Sequence, residues 1–342
     1  MDKYIKDLAL KQYNDIKGYK IIYLDINYWI KVIDADSENN KPFVNALKNV
    51  SSKCIFPVSD MVFYELLKQK DFSKLMESIN LIEELSKGVC FVAYRERVCT
   101  EINHFFYSKF FGDVYGLHKL SELVWTKPGF LLGCNSINFN FDISDYTRCI
   151  EMSKITLSEL LVSYKEMFGT FLFKDNINQL NIDKGKYQNE NNTFKGTYLS
   201  ELGGLLLEFE DDIKQAVFHI FNKQRGRFPT REEEMLMEIE KYRHLIYNSF
   251  KLGKMSVDLP FFNIFCQLFA SVRRDTRRKF KDGNDTMDFL HAAIALPYCD
   301  YFFTEHELKH RIKERDLDEL YGCRVESDYH EVVILLDQIN KY

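Results

Sequence analysis

Four carboxylates, far apart in the chain, stand where an apolar run stops or a helix starts. Asp25 follows Ile21, Ile22, Tyr23 and Leu24, and Glu65 lies in MVFYELLK. Asp288 sits in the opening turns of NDTMDFLHAAIAL, and Glu305 closes YFFTE. Carboxylates brought together repel and cannot all stay ionised unless cations are present. Oxygen ligands of this kind suit Mg²⁺ or Mn²⁺. Two such ions roughly 3.5–4 Å apart can activate water, orient a phosphodiester and stabilise its leaving oxygen. Asp25, Glu65, Asp288 and Glu305 are therefore the candidate metal ligands and catalytic residues of a hydrolytic centre. Each has a plainer reading by itself: a strand-to-helix turn for Asp25 with Asn27, an exposed helix carboxylate for Glu65. Asn27, two residues after Asp25, carries an amide able to hold that carboxylate. Asp285 has the spacing of a helix cap, and His291, one turn after Asp288, is expected to pack or support rather than ligate.

Two further patterns compete for attention. Residues 306–310 read HELKH, a literal match to the zinc-protease pattern in which two histidines one helical turn apart bind Zn²⁺. Lys309 puts a cation inside that pattern, and only His330 or Glu326 offers a third ligand. The protease is the minor alternative. Arg273, Arg274, Arg277, Arg278, Lys279 and Lys281 form a basic cluster shortly before Asp288. Favourable charge at a helix C-terminus explains such a cluster when it stands alone. Beside acids that hold metal ions, phosphate contact is the better reading, which makes these six residues the candidate nucleic-acid contacts.

To meet, the acids need elements that deliver them to one place. The repeated unit is a short buried strand, an acid at its tip, then a helix. Parallel strands end on one edge of a sheet, so acids from both ends of the chain can converge there. The expected strands are 21–24, 54–58, 89–92, 301–303 and 323–326. Helices are expected over 4–16, from 59 or 60 onward, and over 72–87, 144–168, 197–223, 231–252, 259–280, 306–320 and 329–340; another should open near Asp285 and stop near Pro297. The stretch 175–195 is polar and reads as a loop.

IIYLDINYW, PVSDMVFYELLK and NDTMDFLHAAIALPYCDYFFTE resemble the three sequence blocks of the PIN-domain nucleases, many of which are toxins of bacterial toxin–antitoxin pairs. The resemblance covers about 1–95 and 256–342. It implies a three-layer α/β/α domain around a central, mainly parallel sheet, in two pieces, interrupted by an all-helical insertion at 96–255. Position by position it makes Asp25, Glu65 and Asp288 the first three acids and Glu305 the less strict fourth, with Asn27 and Thr304 at supporting polar positions. Glutamate at 305 departs from the family's shorter aspartate. The implied activity is a Mg²⁺- or Mn²⁺-dependent endoribonuclease, with single-stranded DNA the lesser substrate and an antitoxin or immunity protein as partner. The alternative is a PIN-like fold that has lost activity and serves as a binding or scaffold module.

Composition sets the outer limits. With 342 residues, 46% hydrophobic and 15% aromatic, the chain can bury a large core. A formal charge of −5 argues against unspecific coating of nucleic acid while leaving room for a local basic patch. Eight scattered cysteines without a CxxC pair point to reduced thiols and a cytoplasmic setting. No apolar run approaches the ~20 residues a membrane span needs. Composition leaves a homo-oligomer open.

Overall fold

Short runs of β-branched and aromatic residues make the strands, and in the structure, a computed structural model, four of the six described strands collect in one parallel sheet. The structure describes residues 2–112, 117–133, 146–168, 177–186, 193–281 and 284–341. Strand β1 (Lys20–Leu24) is buried from Ile21 onward, as a strand covered on both faces must be. It lies between β2 (Cys54–Ile55) and a later strand, Tyr301–Phe303. With β3 (Cys90–Phe91) and β4 (Trp125–Thr126) between them in the chain, that later strand is β5, and β6 is Arg324–Glu326. The sheet order is β2-β1-β5-β6, all parallel. A single parallel bridge, Val58 with Cys90, brings β3 alongside the chain that follows β2. The chain thus builds outward in one direction from β1 to β2 and in the other from β5 to β6. Crevices outside the C-terminal strand ends gather ligands where such an order reverses.

Strand β4 falls in the stretch expected to be helical. It pairs antiparallel with β3, and the Trp125 ring lies against Phe91 with centroids 4.6 Å apart. Two residues carry no periodicity, so only this ring contact distinguishes them.

Two compact units divide the chain: 1–94, 121–173 and 294–342 in one, 95–120 and 174–293 in the other. The expected insertion, 96–255, is thereby shared between them. In the first unit the Ile26–Ile33 helix packs on Phe72–Ser86, and Lys41–Val50 packs on Tyr329–Lys341. In the second, Phe194–Glu208 lies along Pro260–Arg274. There the buried Glu101 carboxylate accepts the free N–H of Phe261 at 3.0 Å, satisfying a donor at the helix start.

Several long helices expected from periodicity are broken. The 197–223 stretch divides at Phe209, whose ring sits against Phe261 and Phe262. The 231–252 stretch divides at Met237, which is extended. The 144–168 stretch yields Tyr146–Met152 and Leu157–Phe168, and the 306–320 stretch divides at Asp316, which takes a left-handed turn at φ 51°. The 259–280 stretch stops at Arg274. Inside the expected loop a helix forms, Ile177–Lys186; 175–176 and 187–192 lie outside the described residues. Among the described residues the cysteines are free thiols, and no helix is long and apolar enough to cross a membrane.

Candidate metal centre

Asp25 is the first residue past β1. Its N–H extends the ladder by donating to the Phe303 carbonyl at 3.0 Å, and its own carbonyl accepts from Tyr28 and Trp29 to start the Ile26–Ile33 helix. An aspartate at a helix start ordinarily turns its side chain back to cap the first turn. This one makes no such bond. Its carboxylate, 1% exposed, instead accepts the Thr304 hydroxyl at 2.8 Å. Register explains the pairing. Leu24 lies beside Phe303, so Asp25 and Thr304 are neighbours across parallel strands and point to the same face. The N-terminus of the helix adds a favourable field for an ionised Asp25.

Glu65 arrives from the Asp60–Leu67 helix, whose start is tied to the sheet. The Ser59 hydroxyl caps Val62 N–H at 3.1 Å and shares a 2.6 Å hydrogen bond with the Tyr23 hydroxyl. Asp60 accepts Tyr94 N–H at 2.8 Å, which fixes the helix from a second side. Burial, before its neighbours Asp60 and Asp25, pushes the Tyr23 phenol well above its ordinary range, so Tyr23 stays protonated.

His291 completes the group. One ligand atom from each of Asp25, Glu65 and His291 lies within 4.8 Å of the other two. Asp25 and His291 are buried and Glu65 half-buried. His291 is carried by the Asn284–Tyr298 helix. Its Ala292, Ala293 and Ala295 are fully buried, as the small residues of a closely packed helix should be. Among the described residues, no other three His, Cys, Asp or Glu side chains bring ligand atoms this close. Sequence reading made His291 a supporting residue. The signal for more was there: a histidine inside FLHAAIAL, three residues from an acid on the same helical face.

Asp288 is half-buried, one turn before His291, and does not join the group. Glu305 starts the His306–Glu314 helix at the tip of β5 without capping it, half-buried beside Thr304. Asn27 is exposed, so the Asp25 carboxylate is held by the threonine across the sheet. Asp285 is buried, accepts Arg278 and receives Lys281 N–H at 2.8 Å; it holds the preceding chain in place and does not cap its own helix. Of the basic cluster, Arg278 pairs with Asp285 and Arg273 with Glu201, while Arg274, Arg277, Lys279 and Lys281 are exposed. In the HELKH stretch, Glu307 pairs with Arg311, Lys309 with Glu326, and the exposed His310 with Glu314. Glu326 and His330 are likewise separate from any ligand group, and His330 is exposed.

No family model, curated protein or solved structure matches the chain. The functional reading therefore rests on this geometry and on the sequence blocks that place it.

The donor set is two carboxylates and one imidazole. Imidazole suits Mn²⁺, Zn²⁺ and Fe²⁺ better than the hard Mg²⁺ ion, whereas carboxylates serve Mg²⁺ and Mn²⁺ alike. The side chains fit a divalent cation, Mn²⁺ before Mg²⁺. Asp25, Glu65 and His291 would hold it, and Thr304 would fix the orientation of Asp25.

Proposed function

We propose that the chain is a metal-dependent endonuclease of the PIN-like kind, cutting RNA in preference to DNA. The observation that carries this reading is the meeting of Asp25, Glu65 and His291, from three separate sequence blocks, with ligand atoms within 4.8 Å of one another. Supporting it, Asp25 lies at the C-terminal rim of a parallel sheet, at the reversal between β1 and β5. A three-layer arrangement follows from handedness. Right-handed crossovers that move in opposite directions from that reversal put the helices between β1 and β2 on one face and those between β5 and β6 on the other.

A divalent ion bound here would supply Lewis-acid stabilisation of the phosphoryl oxygens and lower the pKa of attacking water. The chain's own residues do the rest. Asp25 and Glu65 offer carboxylate oxygens and His291 a ring nitrogen; Thr304 keeps Asp25 aimed; Asp288 and Glu305 are half-buried carboxylates that a second cation would use. The exposed Arg274, Arg277, Lys279 and Lys281 would contact phosphates. A cell that makes an unregulated ribonuclease damages itself, so an antitoxin or immunity protein belongs to the proposal.

The test is incubation of labelled tRNA, mRNA and single-stranded DNA with the chain, with and without Mn²⁺. Cleavage of RNA that needs Mn²⁺ and falls at least ~100-fold in Asp25→Ala is expected. A chain that binds Mn²⁺ through Asp25 yet cuts none of the three substrates would instead be a binding or scaffold module.

A further inference from the structure

The opposite edge of the sheet, where the strands begin, carries a cavity of about 980 Å³. Its floor is made by the first residues of three parallel strands: Lys20 of β1, Tyr301 of β5 and Arg324 of β6. All its lining residues belong to the sheet unit. It is unrelated to the acids at the other rim, and sequence reading gave no hint of it.

Charge is what marks this cavity. The chain as a whole is at −5, yet Lys17, Lys20, Lys53 and Arg324 line the cavity against one acid, Asp300. Asp300 is already committed. Its carboxylate accepts Ile21 N–H at 2.9 Å and pairs with Lys20 at 2.9 Å, which leaves the other three cations without a lining counter-charge. Lys17 reaches the neutral Asn14 at 3.1 Å, and Lys53 a backbone carbonyl, that of Asn340. The exposed Arg324 side chain makes no hydrogen bond or ion pair among the described residues. Four cations held around one concavity repel, and an anion relieves that repulsion.

Ring surfaces supply the second component. Tyr13, Tyr19 and Tyr301 line the cavity and are half-buried, so each keeps ring surface that a ligand can reach. Trp125, 3% exposed and held by its indole N–H to the Ser121 carbonyl at 2.7 Å, is buried in the wall of the same cavity. Phosphate oxygens suit Arg and Lys donors, and a flat base gains by stacking on aromatic rings. The volume lies within the range of small-molecule sites. We propose that this cavity binds a nucleoside phosphate, with the phosphate on Arg324, Lys17 and Lys53 and the base among Tyr13, Tyr19 and Tyr301. A sugar phosphate offers the same anion without the base, and an acidic peptide offers carboxylates, so the ring contacts single out the nucleotide.

The proposal is independent of nuclease activity. Calorimetric titration of the full chain in EDTA, which empties any divalent site, tests it with AMP, GMP, ribose 5-phosphate and inorganic phosphate. AMP or GMP should bind with a Kd below ~1 mM, and ribose 5-phosphate roughly tenfold more weakly. Arg324→Glu and Lys17→Glu, both at exposed positions that leave the fold alone, should each weaken the nucleotide about tenfold or more. Asp25→Ala should change nothing. Binding of either nucleotide should also change the fluorescence of Trp125, since the other tryptophan, Trp29, is sealed in the core. The proposal is overturned by any of three results: no nucleotide binding, equal affinity for ribose 5-phosphate and AMP, or binding that both charge reversals leave unaltered.

Discussion

At the scale of the residue, Thr304 decides where Asp25 faces. The hydroxyl donates across β1 and β5 at 2.8 Å, and the carboxylate makes no cap bond to the helix that follows. Partners that orient a ligand are worth about 10- to 100-fold in metal affinity. Thr304→Ala is therefore expected to raise the Mn²⁺ dissociation constant about tenfold with little change in melting temperature, and Thr304→Ser should recover most of the loss. Titration calorimetry on the three proteins checks both. His291 and Asp288 separate in the same assay. His291→Ala removes a member of the ligand group and should weaken Mn²⁺ roughly 10- to 100-fold. Asp288→Asn should leave that first ion in place and lower cleavage. If Mn²⁺ binding survives in His291→Ala and disappears in Asp288→Asn, the resemblance named the ligand and the geometry did not. Asp25 and Glu65 were legible because each follows a recognisable strand or cap. His291 was not, since a candidate ligand on an apolar helix face looks like any packed histidine.

At the scale of the element, what could be read was what repeats locally. β1, β5 and β6 announce themselves as short apolar runs, and Thr230 with Glu233 forms the capping box that spacing predicts. The Ile177–Lys186 helix was hidden by its polar composition. What holds it is distant: the buried Lys184 ammonium donates to the carbonyls of Val272, Asp275 and Arg278, satisfying acceptors at and beyond the end of Pro260–Arg274. No window of sequence contains that contact. Phe209 and Asp316 break helices for the same kind of reason, one ring anchored elsewhere and one left-handed turn. The β6 end shows how such ties respond to pH. Burial pushes the Glu326 carboxyl upward, but Lys309 and the N–H groups of Asp328 and Ser327 outweigh it and hold the acid below its ordinary value of 4.5. A lowered folded-state pKa gives stability that is present above the unfolded value and is lost as pH falls through the folded one. Glu326→Gln should be less stable than the parent at about pH 7, with the gap closing below about pH 4.5. Urea denaturation at several pH values would measure it, and a gap that stayed constant into acid would reject the assignment.

At the scale of the whole molecule, two compact units each bury a core of their own: the sheet with its helices, and the Phe194–Glu208 and Pro260–Arg274 pair with Phe209, Phe261 and Phe262. Separate cores do not have to melt together, and a chain of this kind departs from two-state behaviour. Scanning calorimetry should resolve two transitions, or one whose calorimetric enthalpy exceeds the van't Hoff value. A ligand that binds only the folded form stabilises the unit that holds it, by about 2.7 kcal/mol at 100 times its dissociation constant. For a unit of this size each kcal/mol moves the midpoint roughly 2–4 °C. Mn²⁺ at that level should then raise the midpoint of the sheet unit, which holds Asp25 and Glu65, by about 5–10 °C. Asp25→Ala should abolish the shift, because Asp25 at the tip of β1 belongs to the sheet unit and is the buried acid of the group. A nucleotide seated at the opposite edge stabilises the same unit without Asp25, so in EDTA its shift should persist in Asp25→Ala and vanish in Arg324→Glu. Two ligands that move one transition through different residues would establish two sites at the two ends of a single sheet. A Mn²⁺ shift that survives Asp25→Ala would put the ion somewhere other than the C-terminal rim.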